Sequence, residues 1–126
     1  MVENDYVMRM IKDLVKTVAK LVLNKEVVNY ELPEENHYTV TDNLYQKLID
    51  MVDEGLINDA ENHLYKELDF MDMKQFEMAL SFYSHINDLE TDFLDDHDYS
   101  REEIKQGIES ISKEFGVFYD ADIFAI

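Results

Sequence analysis

The chain contains no cysteine, one proline and three glycines. Without cysteine there is no disulfide framework, no thiolate-held zinc or iron–sulfur site and no thiol nucleophile. Pro33, Gly55, Gly107 and Gly116 are too few to turn a sheet-rich chain at short intervals, so helices are the economical reading. Basic residues are scarce as well, 11 against 29 acidic ones, for a net charge of −18 in 126 residues. That balance excludes general nucleic-acid binding, because neutralising phosphates takes lysine and arginine in excess. No apolar run approaches the ~20 residues that span a bilayer. The apolar N-terminal residues are interrupted by Arg9, Lys12, Asp13 and Lys16, unlike a signal peptide. The expectation is a cytoplasmic protein of single-domain length, with no cofactor, no nucleic-acid partner and no membrane partner.

Hydrophobic residues make up 46% of the chain, enough for a core and too many for intrinsic disorder. The charge is unevenly divided. Residues 1–25 hold Arg9, Lys12, Lys16, Lys20 and Lys25 against Glu3, Asp5 and Asp13, a balance of +2. Residues 26–126 hold six basic and 26 acidic residues, a balance of −20. A mildly basic arm is thus joined to a strongly acidic body.

Hydrophobic periodicity predicts an all-α fold of about five helices. The first covers about 4–24, with Asn4 as N-cap. Val7, Ile11, Leu14, Val15, Val18, Leu21 and Val22 share one arc at 100° per residue. Its valines lower helix propensity, so packing must hold it. Residues 25–40 break the period, and Pro33 disfavours helix at Leu32. The second helix covers about 42–54, capped by Thr41 and stopped by Gly55; the third, about 57–68, follows at once as a hairpin. The fourth runs from about 73 to 94 and is apolar over more than half its surface, which predicts a central position. Ser100-Arg101-Glu102-Glu103 reads as a capping box with Tyr99 and Ile104 as its hydrophobic staple. It opens a fifth helix that Gly116 ends. The expected organisation is an N-terminal amphipathic helix over 1–25, a linker or ordered loop over 26–40 and an acidic helical domain over 41–126. The apolar tail after 117 is expected to dock across the bundle.

The second and third helices resemble one tetratricopeptide unit. Gly55, Ile57, Ala60 and Leu64 keep the spacing of that repeat's turn glycine, bulky residue, small alanine and second-helix aromatic. Leu44, Leu48 and Met51 sit at its first-helix core positions. Lys47, Leu48 and Asp72 depart where a leucine, a small residue and a proline are usual. Leu94 stands where a further copy, about 34 residues on, needs a small residue, so the resemblance covers one hairpin and no array. The whole chain also resembles a small uncharacterised family of Firmicute proteins of about this length. The shared features are Asp5-Tyr6 with Arg9-Met10-Ile11, Gly55 to Asn62, Phe82-Tyr83, and Ser100 to Ile104 with Gly107. That resemblance implies an all-helical bacterial protein and brings no site with it.

Chemical signatures are weak. Asp92, Asp95, Asp96, Asp98 and Glu103 suggest a calcium loop, but its third and sixth positions hold Leu94 and His97 instead of an oxygen ligand and a glycine. Asp59, His63 and Glu67 share a helix face, and His97 lies among carboxylates; these are the candidate metal ligands. With 29 acids in the chain, such neighbours are expected by chance, and no metal site is assigned. A di-iron bundle needs paired Glu-x-x-His motifs, and only Glu34-x-x-His37 fits. Ser81, Ser84 and His85 lack nucleophile-elbow glycines and read as an exposed polar stripe.

The leading expectation is a protein–protein interaction or adaptor module without catalysis, probing a basic partner through apolar and aromatic residues in a groove beside helices two to four. The first helix is expected to dock on the chain's own core, with its lysines facing acidic neighbours, or to form a homodimer through its apolar arc. The candidate interaction residues are Val7, Ile11, Leu14, Val18 and Leu21 on the first helix, Phe82 and Tyr83 on the fourth, and Phe124 in the tail. The alternatives are a metal- or small-ligand-binding helical enzyme using carboxylates and histidine, and an acidic mimic of nucleic acid.

Overall fold

A computed structural model describes residues 2–25 and 30–117. Among these are six α-helices and no strand: α1 (Val2–Val18), α2 (Val40–Asp53), α3 (Ile57–Glu67), α4 (Met73–Asn87), α5 (Thr91–Asp96) and α6 (Arg101–Glu114). A π-helical stretch, Ala19–Leu23, prolongs α1, and a 3-10 turn, Glu35–His37, precedes α2. The all-α expectation holds, with six helices where about five were expected.

The centre is α4, which packs against α1, α2 and α6; α1 also packs on α6, and α2 pairs with α3. Phe76, Met78, Ala79, Leu80, Phe82, Tyr83 and Ile86 of α4 are all buried, as the wide apolar surface of this segment predicts. Ile11, Leu14, Val15 and Val18 are buried too. The valine-rich helix therefore obtains the packing it needs from α4 and α6 of its own chain.

Several local details differ from the periodicity. The first helix begins at Val2, so Asn4 lies inside it and is not its N-cap. Leu21 is 64% exposed, whereas Val22 and Leu23 are half-buried. The wider i→i+5 turns of the π stretch rotate the later residues off the arc drawn at 100° per residue. At α2 the cap is Thr39, not Thr41. Thr39 Oγ1 accepts from the Asp42 amide at 3.2 Å and the Asp42 carboxylate accepts from the Thr39 amide at 2.9 Å. Thr41 is then free to turn inward and is buried. The Thr39 amide and the Tyr30 hydroxyl, 2.6 Å from Asp42 Oδ1, hold the Asp42 carboxyl below the usual range.

The segment expected as one helix to about 94 is two. Its apolar pattern continues through Leu89 and Phe93, but α4 ends at Asn87 and α5 starts at Thr91. The interruption is organised by Arg101, the first residue of α6, whose side chain is buried. Its guanidinium donates to the carbonyls of Asn87 and Leu89 at 3.1 and 2.6 Å, to Asn87 Oδ1 at 3.3 Å and to Thr91 Oγ1 at 2.9 Å. A cation satisfying carbonyls left without partners at a helix C-terminus is favourable on both counts. Asn87 Nδ2 donates onward to the Met8 carbonyl at 3.0 Å, so the same network reaches α1. The Ser100–Glu103 capping box of α6 is formed, with Tyr99 and Ile104 both buried. Gly116 follows α6 with φ of 68°, and Phe115 meets Phe70 and Phe76 edge-on at 5.2 and 5.1 Å.

Candidate functional site

The structure disperses the residues singled out from sequence. Ile11, Leu14 and Val18 are core residues, Val7 is half-buried, and Phe82 and Tyr83 are fully enclosed. In this fold none of the enclosed five presents surface to another molecule; of the first-helix set, only Leu21 is exposed. Phe124 and the tail after Val117 lie outside the described residues. Asp59 and Glu67 are exposed on α3 with His63 half-buried between them in sequence. Among the described residues no three His, Asp or Glu side chains are grouped so as to hold a metal ion. His97 has a packing role: its Nδ1 donates to the Phe93 carbonyl at 2.7 Å, and its ring lies over Gly55. The acidic span after Asp92 is largely helix, since α5 occupies Thr91–Asp96. Ser81 is buried and accepts from the Tyr30 amide at 3.1 Å, while His85 pairs across helices with Asp53 at 2.8 Å, so the expected exposed stripe is divided.

Three of the six exposed large apolar side chains belong to the segments where α2 and α4 begin and α3 ends; Tyr6, Leu21 and Leu56 are exposed elsewhere. Gln75 ties these ends together, donating to Thr41 Oγ1 at 3.3 Å and accepting from the Asp69 amide at 2.7 Å. Around it Val40 is 83% exposed and Met71 91% exposed, with Met73 also outward. Between α2 and α3 runs a groove of about 310 Å3 whose walls include Val40, Leu44, Lys47, His63, Glu67 and Gln75. Two exposed methionines and a nearly fully exposed valine make this end a candidate contact surface.

A second feature is polar and buried. Glu61 of α3 accepts from the Tyr83 hydroxyl at 2.6 Å. Gly107 of α6 permits this: a Cβ there would fall 2.4 Å from the Tyr83 ring. The Tyr65 hydroxyl lies 3.5 Å from the Gly107 carbonyl, and the Tyr99 hydroxyl is buried near Glu61. A groove of about 320 Å3 opens above, between α3 and α6, lined by Glu61, Tyr65, Glu103, Gln106, Gly107 and Ser110 among others. Burial pushes the Glu61 carboxyl above its usual range, the tyrosine hydroxyls oppose this, and Glu103 adds to it. Burial and the Glu61 charge likewise push the Tyr83 and Tyr99 hydroxyls upward, so they remain neutral donors. Periodicity could not find this cluster, because its members come from three separate segments.

The sign of the Glu61 shift gives a pH dependence. A carboxyl that titrates higher in the folded state than in the unfolded chain costs stability at neutral pH, and the cost disappears as pH falls through its raised pKa towards the ordinary 4.5. Glu61→Gln, whose amide oxygen can still accept from Tyr83, is therefore expected to melt above the wild type at pH 7, with the two converging near pH 4.5. Parallel melting curves measured across that range would show that the Glu61 charge is without this cost.

Residues 1–116 match the DUF6483 family, described as a family of unknown function. No curated protein and no solved structure matches the chain.

Proposed function

We propose, from the premise that the chain belongs to the DUF6483 family of unknown function, that it is a non-catalytic protein-interaction module. The observation that carries this reading is the exposed Val40–Met71–Met73 surface beside the α2–α3 groove. Methionine side chains are flexible and polarizable, so they mould to partner helices of varied sequence. The occupant in this reading is an amphipathic basic segment of another protein. Its apolar residues meet the methionines, and the −18 charge of the chain accelerates its approach. The α2–α3 hairpin, with Ala60 and Leu64 buried, is read as a single tetratricopeptide-like unit supporting that surface. A bacterial source and a cytoplasmic location belong to the same reading; among the described residues no helix is long and apolar enough to cross a membrane.

Both Val40 and Met71 are exposed, so acidic substitutions there leave the core untouched. The tagged full-length chain and its Val40→Glu/Met71→Glu variant are purified from the source cell after mild crosslinking and compared by mass spectrometry. A basic protein retained by the first and lost by the second, at equal melting temperature, is the expected result. The same proteins with both chains, or none with either, would remove the reading. Deleting residues 1–25 is not a usable control, because it uncovers the α1-facing sides of α4 and α6.

A further inference from the structure

We propose that the exposed groove on the outer face of α1 and its π-helical extension, walled by Lys16, Thr17, Lys20 and Leu21, is the seat of the chain's own tail, residues 118–126. In this arrangement Asp120 and Asp122 face the two lysines, and aromatic and aliphatic side chains of the tail cover Leu21.

The packing of the bundle brings the tail to this place. Asn87, at the end of α4, donates to the Met8 carbonyl near the start of α1 and accepts from Arg101 at the start of α6. At the opposite end Lys25 pairs with Glu77, and Phe115 packs on Phe76 near the start of α4. Both α1 and α6 therefore run antiparallel to α4, and they are parallel neighbours of each other. The chain leaves α6 through Val117, at the same end of the bundle as Lys20 and Leu21. Adjacent helix axes lie about 8–10 Å apart. A segment as long as 118–126 spans about 30 Å when extended, so it crosses to the outer face of α1 with length to spare.

Charge selects this groove over the others. From Leu14 to Lys25 the chain has three lysines and no acid, whereas the α3–α6 groove contains Glu61 and Glu103 and the α2–α3 groove contains Glu67. The tail carries Asp120 and Asp122 and no basic residue. Most of the acidic body repels such a segment, and the outer face of α1 attracts it. The spacing agrees as well. Lys16 and Lys20 stand about 6 Å apart along the helix, and two aspartates on one side of an extended segment stand about 6.6 Å apart.

Leu21 supplies the apolar part. It is 64% exposed, although the arc it continues is buried. The tail offers Phe118, Tyr119, Ile123 and Phe124 to cover it. The exposed methionines lie at the same end of the bundle, but Glu67, Asp69 and Asp72 flank them and repel the same aspartates.

The chain has no cysteine, so two introduced thiols report on the contact without interference. Full-length Thr17→Cys/Ile123→Cys and Met71→Cys/Ile123→Cys variants are equilibrated with reduced and oxidised glutathione, which gives the effective concentration of each thiol pair. Thr17 and Met71 are exposed, and equal melting temperatures verify that the variants are folded. The expected result is a disulfide within one chain for the Thr17 pair, at an effective concentration about tenfold or more above that of the Met71 pair. Adding Lys16→Glu/Lys20→Glu should abolish the difference. Adding Asp120→Lys/Asp122→Lys to that variant should restore it, which altered thiol reactivity alone does not do. A Met71 pair equal to or above the Thr17 pair, indifference to the charge reversal, or failure of the rescue would each overturn the proposal. A disulfide joining two chains would overturn it too, and would assign the tail to a second copy.

Discussion

Replacing Arg101 by methionine is expected to destabilise the protein by about 3 kcal/mol, lowering the melting temperature by roughly 10 °C. Methionine keeps most of the aliphatic volume, so a cavity contributes little. The loss is polar. The guanidinium makes four hydrogen bonds, and their acceptors, including the Asn87 and Leu89 carbonyls, lie where α4 gives way to α5. Removing the donor leaves them unsatisfied, the two on Asn87 in the buried interior. Burial disfavours the Arg101 charge, and the surrounding Asp5, Asp95, Asp88 and Glu90 oppose that effect. These carboxylates then lose a nearby positive charge as well. Arg101→Lys separates the contributions: it keeps the charge but cannot fork across several acceptors, so it should recover only part of the loss. Thermal melts of the three proteins decide it. Full recovery by lysine would reduce the effect to charge alone, and a methionine variant as stable as the wild type would make the network inconsequential.

The Arg101 network also shows where sequence patterns reach their limit. The apolar arc of α1, the central place of α4 and the Ser100–Glu103 cap were legible because each depends on residues a few positions apart, which obey a fixed helical period. The break after Asn87 was not legible. Leu89, Phe93 and Leu94 continue the pattern that Phe82 and Ile86 begin, and only a side chain fourteen residues beyond Asn87 interrupts it. The same reason hid the Glu61 cluster. Glu61, Tyr83 and Tyr99 are unexceptional within their own segments and acquire chemistry when α3, α4 and the start of α6 converge. Apolar arcs report burial, and they do not say against what. That is why the arc of α1 was open to both own-core docking and dimerisation, and the fold realises the first: its side chains fill the chain's own core. The exposed methionine end was hidden for the opposite reason: Met71 and Met73 flank a helix start, where no period applies.

Burying a carboxylate among tyrosines has a cost that a merely structural contact avoids. Phenylalanine at 83 and 99 with an apolar residue at 61 would fill the same space without desolvating a charge. Phe76, Phe82, Leu48, Val52 and Ile104 follow that simpler rule, while the buried Gln75, Asn87, Arg101 and Ser112 each have hydrogen-bond partners. The Glu61 cluster lies beside the α3–α6 groove, which Glu61 lines, whereas the Asp42–Tyr30 pair is satisfied by its own cap. Perturbed groups beside an opening are functional candidates on that contrast.

The second large effect concerns Gly55 and His97. Gly55→Ala is expected to cost about 3 kcal/mol, from two sources that can be separated. Gly55 has φ of 91°, where a Cβ strains the backbone by about 1–2 kcal/mol. A Cβ at that position would also fall 2.3 Å from His97 Nε2, inside any tolerable contact. The ring is not free to yield, because Nδ1 holds the Phe93 carbonyl at 2.7 Å and its centroid lies 4.4 Å from that of the tilted Phe93 ring. The α2–α3 turn and the end of α5 are thus joined through one imidazole, and Asn58 Nδ2 reinforces the junction by donating to the Asp98 carbonyl at 3.1 Å. Removing the ring should remove the collision and leave the strain. Gly55→Ala in a His97→Ala background is therefore expected to cost only about 1–2 kcal/mol, the backbone share. Denaturant unfolding of the four proteins measures this coupling directly. An identical cost in both backgrounds would mean that His97 swings clear, and the glycine would then be required for its backbone angle alone.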